Sequence, residues 1–264
     1  MGTLRDCVYG LAVGDALGVP FEGRARGTFT CTDMVGGGAH GKPAGTFSDD
    51  TSLALALCDS IRACGCIDCR DMRQRFEAWL LGGAYTTDGA FGVGATTRQA
   101  LQQGKGQAGE RACGNGSLMR TAPLAFAATT DGEVRSVSAI THAHPTCTRA
   151  CVDAVRFARQ LAAGTPVREA AAAIGQAAAL QLPRGEVRSS AYVLHTLQAA
   201  IWCLASTASY AECVLAAVNL GADTDTTAAV AGAFAGIAYG KGAIPHEWLD
   251  ALQGTDLIER CLFS

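Results

Sequence analysis

Asp223-Thr224-Asp225-Thr226-Thr227-Ala228-Ala229-Val230-Ala231-Gly232-Ala233-Phe234-Ala235-Gly236-Ile237-Ala238-Tyr239 is the stretch on which the reading of the fold turns. Ala is the strongest helix former, and small side chains let two helices approach closely. A helix is therefore expected over Thr224 to Tyr239, begun by two acids and two hydroxyls. Its apolar part, Ala228 to Tyr239, is shorter than the roughly 20 residues that a membrane span requires. The chain repeats this chemistry elsewhere. Leu4 to Leu17 carries apolar residues at helical spacing, and Gly10 and Gly14, four apart, give it a smooth patch for close packing.

The same period predicts helices over Asp50 to Cys64, with Leu53, Leu57 and Ile61 on its stripe, and over Asp71 to Leu81, Thr96 to Gln103 and Glu133 to His142. Further helices are expected over Thr146 to Ala163, Val167 to Ala179, Ser189 to Ala205 and Tyr210 to Leu220. Pro245 opens a short last one through Leu252. No stretch alternates polar and β-branched residues over six positions, so strands are not expected. Gly-rich loops fall at Gly36 to Gly45, Thr87 to Gly94 and Gly104 to Gly116. With no repeat and no Pro-rich linker, the expectation is one all-α domain, a compact multi-helix bundle over residues 1–264.

Composition agrees. The 264 residues include 50 Ala and 32 Gly against 9 Phe, 5 Tyr and 3 Trp, and only 17% are charged. Such a chain is too apolar for disorder. A net charge of −3 leaves no basic footprint for nucleic acid. The first residues lack a basic region followed by an apolar run, so no secretory signal is visible, and Asp6 breaks the myristoylation pattern. The expectation is a cytoplasmic monomer. Twelve Cys are then reduced thiols, and Cys58, Cys151, Cys203 and Cys213 read as small hydrophobes in helices. Cys64-Gly65-Cys66-Ile67-Asp68-Cys69 is the tightest cluster, but no second pair stands at zinc-finger spacing.

Two acidic clusters stand where helices begin: Ser48-Asp49-Asp50-Thr51 and Asp223-Thr224-Asp225-Thr226. Helix capping accounts for either one alone, since Ser, Thr and Asp are favoured N-caps. Capping needs only one acceptor, however, and adjacent carboxylates against an apolar helix are costly without a neutralising cation. Oxygen donors without His or thiolate suit Mg2+ or Mn2+. If the two helix N-termini converge, they can hold two ions.

Four motifs taken in order resemble the ADP-ribosylglycohydrolase family, which includes dinitrogenase-reductase-activating glycohydrolase and the ADP-ribosyl-acceptor hydrolases. They are Gly14-Asp15-Ala16-Leu17-Gly18-Val19-Pro20-Phe21-Glu22, then Gly45-Thr46-Phe47-Ser48-Asp49-Asp50-Thr51, then Gly114-Asn115-Gly116-Ser117-Leu118-Met119-Arg120, and Asn219-Leu220-Gly221-Ala222-Asp223-Thr224-Asp225-Thr226. The resemblance implies an all-α bundle with a binuclear Mg2+ or Mn2+ centre in a central cleft. It also implies hydrolysis of the C1″ glycosidic bond joining ADP-ribose to a protein side chain or small acceptor. Carried over by position, Ser48, Asp49, Asp50, Asp223, Asp225 and Thr226 would be metal ligands. Glu22 or Asp49 would manage the proton.

Backbone amides in Gly-rich loops and at helix N-termini suit a pyrophosphate. By the same resemblance Gly114, Asn115, Gly116, Ser117 and Met119 line the ADP-ribose cleft and open a further helix, and Gly92 to Thr97, with Gly92 and Gly94, does the same one helix earlier. A plain flexible connection is the competing reading of both loops. Several relatives carry Asp-Ile-Gly where this chain has Gly92-Val93-Gly94, a departure that counts against arginine-type specificity. His142 resembles the family's His near the ligand, with a structural His as the alternative. His144 matches less clearly, and His40, His195 and His246 have no assignable role. Phe91 and Tyr85 suit either nucleobase stacking or core packing. Two other readings stay open: a metal-dependent nucleotide pyrophosphate or phosphoester hydrolase, and a non-catalytic ADP-ribose binder.

Overall fold

The computed structural model describes residues 1–264 and contains helices with no strand, only three isolated bridges. The helices are α1 (Leu4–Gly18), α2 (Asp49–Cys64), α3 (Cys69–Gly82), α4 (Ala95–Gln103), α5 (Asp131–Ala139) and α6 (Pro145–Ala162). After them come α7 (Val167–Ala173), α8 (Val193–Ala205), α9 (Tyr210–Val218), α10 (Thr224–Tyr239), α11 (His246–Ala251) and α12 (Thr255–Cys261). None is long and apolar enough to cross a membrane.

The α10 stretch is the spine. It is buried from Thr224 to Ile237, lies along α1, and is flanked by α8 and α9. Its approach to α1 is set by glycines. A Cβ at Gly10 would lie 2.2 Å from the Gly232 carbonyl oxygen, and one at Gly14 would lie 2.1 Å from that of Ala228. At Gly18 a Cβ would meet the Asp225 Cα at 2.3 Å. Three positions at i, i+4 and i+8 thus form one seam that admits no side chain. Thr224 Oγ1 pins its end by donating to the Gly18 carbonyl (2.8 Å), and Tyr210 Oη donates to that of Gly10 (2.7 Å). Around this pair one continuous cluster of 69 buried apolar residues forms the core.

Local signals explain the ends. Thr3 and Asp6 close a capping box on α1, Ser48 caps α2, and Asp68 caps α3 by accepting from the Arg70 and Asp71 amides. Gly65, at φ 68°, ends α2 in the left-handed conformation that glycine adopts without penalty.

Several expected boundaries are corrected. The helix expected over Val167 to Ala179 stops at Ala173 because Gly175 turns at φ 75°, and a 3-10 turn over Ala177–Gln181 replaces its second half. Ser189 to Tyr192 precede α8 rather than belong to it, since they lie against the 114 loop, where the Asn115 amide donates to the Ala191 carbonyl (3.0 Å). No α-helix follows Gly114 to Met119. Two 3-10 turns do, Leu118–Arg120 and Ala122–Phe126, the second containing Pro123, which has no N–H to give. Helix α12 is not among the expected elements.

All twelve Cys are free, and Cys58, Cys151, Cys203 and Cys213 are fully buried, Cys151 beside the Ser117 hydroxyl rather than among apolar side chains alone. Cys64 and Cys66 are exposed, and no group of three potential metal-binding side chains forms around them.

Candidate active site

Three helices begin at one cavity of about 230 Å³. The N-terminus of α2 brings Asp49, that of α10 brings Asp223, Asp225 and Thr226, and that of α4 brings Ala95, Thr96 and Thr97. Glu22, just past α1, also lines the cavity, with Gly114, Asn115, Gly116, Met119 and His142, and with Gly92, Gly94 and Ala191.

The two acidic helix N-termini, distant in sequence, meet. Asp50 Oδ2 accepts from Ser48 Oγ (3.1 Å) and from Thr226 Oγ1 (3.4 Å), which ties α2 to α10. Asp50 Oδ1 is buried with no hydrogen-bond partner. Asp225 Oδ1 accepts from the Thr226 amide (2.9 Å). Asp223 stands at the N-cap of α10 without capping it, and its Oδ2 instead accepts from Asn115 Nδ2 (2.6 Å). Asn115 also donates to Thr196 Oγ1 (2.8 Å), so the 114 loop is anchored to α8.

Asp15 lies within the first of the four motifs, where the sequence alone assigns it no role. It is fully buried on α1 and its carboxylate accepts from the Ser48 amide (3.0 Å) and from the amide and hydroxyl of Thr51 (3.0 and 2.6 Å). One residue of α1 therefore performs a capping task for α2, and Asp49 and Asp50 are left without it. The signal is a lone carboxylate inside an otherwise apolar helical run.

The electrostatics follow from this crowding. Burial, and then repulsion from Asp15, Glu22 and Asp223, push Asp49 well above the usual carboxylate range. Asp50 rises well above it through burial and the charges of Asp15, Asp49 and Asp223. Asp225 does so through burial and then Asp223 and Asp50, while Asp223 is raised chiefly by burial. Asp15, whose burial is partly offset by its donors, is pushed up to about 6. No Lys or Arg lines the cavity. Clustered carboxylates with an orphaned oxygen and no internal cation fit hard divalent ions in donor chemistry. No three His, Cys, Asp or Glu side chains are drawn together tightly enough to define an ion's position.

The helix α4 differs from the other two in carrying no acid in its first turn. Its N-cap is Gly94, which offers no side-chain acceptor, so the amides of its first turn face the cavity uncapped. Gly92 is confined by Asp49. Its φ is 82°, and a Cβ there would lie 2.4 Å from Asp49 Oδ1. An Asp at this position, as in the Asp-Ile-Gly pattern, would require the Asp49 carboxylate to shift.

His142 lines the cavity as a neutral ring, lowered to about 3 by burial and the Arg120 charge. Its Nδ1 is 2.9 Å from Thr141 Oγ1, and its Cε1 would lie 2.8 Å from a Cβ at Gly116. The buried Arg120 donates to the Gly116 carbonyl and to Thr141 Oγ1, bracing the loop from behind.

Some expected residues stand back from the cavity. Ser48 and Asp50 are buried behind Asp49 and do not line the open space. Ser117 is fully buried too: Ser138 Oγ donates to its hydroxyl (2.9 Å), and Cys151 Sγ lies 3.4 Å away. Tyr85 is taken up by Asp59 and Arg75. His144 caps α6, and His195 pairs with Ser190 away from the cavity.

The family model for ADP-ribosylglycohydrolase matches residues 3–263. The chain is 33% identical to ADP-ribosylarginine hydrolase Tri1 of Serratia proteamaculans, over 94% of this chain and 74% of that protein. It is likewise 33% identical to the ADP-ribosyl-[dinitrogen reductase] glycohydrolase of Rhodospirillum rubrum, over 92% of this chain and 87% of that one. A solved structure described as an ADP-ribosylglycohydrolase-related protein complex superposes with a TM-score of 0.84 at 33% identity, covering 98% of this chain and 95% of its own. The chain belongs to the ADP-ribosylglycohydrolase family.

Proposed function

We propose that this chain removes ADP-ribose from modified proteins by hydrolysing the C1″ glycosidic bond, with two divalent cations, Mg2+ or Mn2+, at the paired acidic helix N-termini. The observation that carries the reading is the meeting of α2, α4 and α10 at one cavity, two of them bearing acids and the third, α4, opening on Gly94 with neither an acid nor a side-chain cap. The names of the relatives at 33% identity support a protein acceptor.

Ser48, Asp49, Asp50, Asp223, Asp225 and Thr226 would hold the ions. When bound, such ions supply Lewis-acid polarisation and a template for sugar hydroxyls. The chain's own groups do the rest. Uncapped amides at the start of α4 suit the pyrophosphate, because they present N–H donors at the positive end of a helix dipole. Asn115 fixes Asp223, and the absence of a side chain at Gly92 leaves room for the Asp49 carboxylate. The carboxylates stabilise positive charge developing on the sugar. Glu22, the lining carboxylate on the α1 side, accepts the proton of the attacking water, with Asp49 as the other carboxylate able to do so. Twelve free thiols suit a reducing compartment such as the cytoplasm.

The test is a panel of peptides and proteins modified at Arg, Ser, Cys and Glu, assayed for products with Mg2+, Mn2+ and chelator. Free ADP-ribose that depends on metal, and is lost in Asp223→Ala and Asp225→Ala, is expected. AMP with ribose phosphate, or ADP-ribose released equally fast by chelated double variant and loaded wild type, overturns the reading.

A further inference from the structure

Glu22 stands on a loop rather than a helix, and its side chain is one-third exposed. It faces Asp49, Asp223 and Asp225, whose charges repel it. A flexible glutamate under such repulsion needs a partner to keep one rotamer. His40 supplies it. Its Nε2 is 2.5 Å from Glu22 Oε2, and since an ionised carboxylate only accepts, the imidazole donates.

His40 is itself held. Its ring packs on Phe91 at 5.0 Å between centroids, the planes inclined by 48°. Lys42 Nζ lies 4.7 Å from the centre of the Phe91 ring and donates to the Asp88 carbonyl (2.7 Å) and Asp88 Oδ2 (3.1 Å). Two Gly-rich loops that read as connections in the sequence are thereby clasped together. Phe91 immediately precedes Gly92, the residue pressed against Asp49. One clasp therefore reaches two carboxylates of the cavity, Glu22 through a hydrogen bond and Asp49 through a backbone contact.

We propose that His40 is the positioning residue for Glu22, fixing its carboxylate at the cavity for proton transfer, with Phe91 and Lys42 setting the imidazole. This rests on the hydrolase reading and on Glu22 as the proton acceptor.

The experiment compares wild type, His40→Ala, His40→Gln and Glu22→Gln for kcat and KM on an ADP-ribosylated protein, with Tm and ADP-ribose affinity measured alongside. His40→Ala is expected to lose roughly 10- to 100-fold in kcat, the scale for a misplaced proton-transfer group, at unchanged KM and Tm. Gln, which keeps a donor, should recover part of that loss. Free imidazole should partly restore His40→Ala and leave Glu22→Gln unaffected. A wild-type kcat in His40→Ala overturns the proposal. So does a loss that neither Gln nor imidazole relieves, which would mark a structural role. The pairing is also read without turnover, because Glu22→Gln should shift the His40 imidazole nitrogen resonances, and unchanged resonances overturn it. A wild-type chain that releases no ADP-ribose overturns the hydrolase reading, and the positioning role falls with it, while the resonances still decide the pairing.

Discussion

Asp15 on α1 and Thr51 on α2 are joined twice, the carboxylate accepting both the Thr51 amide (3.0 Å) and its hydroxyl (2.6 Å). With the Ser48 amide added, Asp15 fixes where α2 begins, and with it where Asp49 and Asp50 stand. Asp15→Ala leaves these buried donors unsatisfied, at about 1–3 kcal/mol for each buried group. Relief of repulsion on Asp49 and Asp50 offsets part of that cost. The expected outcome is a net loss of about 2–4 kcal/mol in urea unfolding, with weaker binding of added Mn2+ by calorimetry.

Gly92→Ala places a Cβ 2.4 Å from Asp49 Oδ1 at a φ of 82°. A side chain in this region of backbone space is strained, and here the strain falls on a carboxylate of the site. ADP-ribose release should drop by roughly 100-fold, as a 1 Å misplacement does, while far-UV circular dichroism stays that of the wild type. Full activity in this variant would show that the position of Asp49 is not critical.

The raised carboxyls make a signed statement about pH. Asp15 at about 6, against an ordinary 3.8, binds its proton more tightly folded than unfolded. Its destabilising effect is absent below the unfolded value and develops as pH rises through the folded one. Asp49, Asp50 and Asp225, each pushed well above the usual carboxylate range by burial and neighbouring acids, act in the same direction. In chelator, Tm should therefore be higher near about pH 5 than near about pH 7.5. Added Mg2+ or Mn2+ should remove most of the difference, because binding to the folded state alone stabilises it.

The α1–α10 seam predicts an opposing pair of glycine variants. Gly14→Val drives a Cβ to within 2.1 Å of the Ala228 carbonyl, a backbone atom that cannot swing aside, and should cost at least about 3 kcal/mol. Gly82, at the end of α3, has open space around its Cα and an ordinary φ. Gly82→Ala should instead stabilise by about 0.5–1 kcal/mol. Chemical denaturation of the two proteins reads both signs.

Helices were legible where a 3.6-residue period and a cap agreed, as in α1 and α2, and in α10 through its unbroken run of small helix-forming residues. Boundaries failed where tertiary contacts overrode the period, as at Ser189 to Tyr192, which serve the 114 loop, and where a left-handed glycine, Gly175, breaks the helix locally. The two acidic helix N-termini were legible as local patterns because four acids stand out in a chain with only 24. Their meeting is a long-range fact, as are the parts of Asp15 and His40. Asp15 acts on residues more than thirty positions away, and nothing local to α1 announces that. Ser117 shows the reverse case: a hydroxyl in a loop motif is turned into the core by Ser138 and Cys151, a direction that spacing does not encode.

The glycine seam also orders events during synthesis. Helix α1 leaves the ribosome before α10, and the surface it must lie against is made about 200 residues later, as the 206-residue separation of Gly18 and Thr224 measures. Contacts of such separation form slowly, and domains of this length commonly pass through partly folded states. Until α10 emerges, Asp15 can meet only its partners on α2, and Glu22 has no Asp223 or Asp225 to face. The nascent chain therefore carries its acids apart, and the assembled cavity is among the last features to exist.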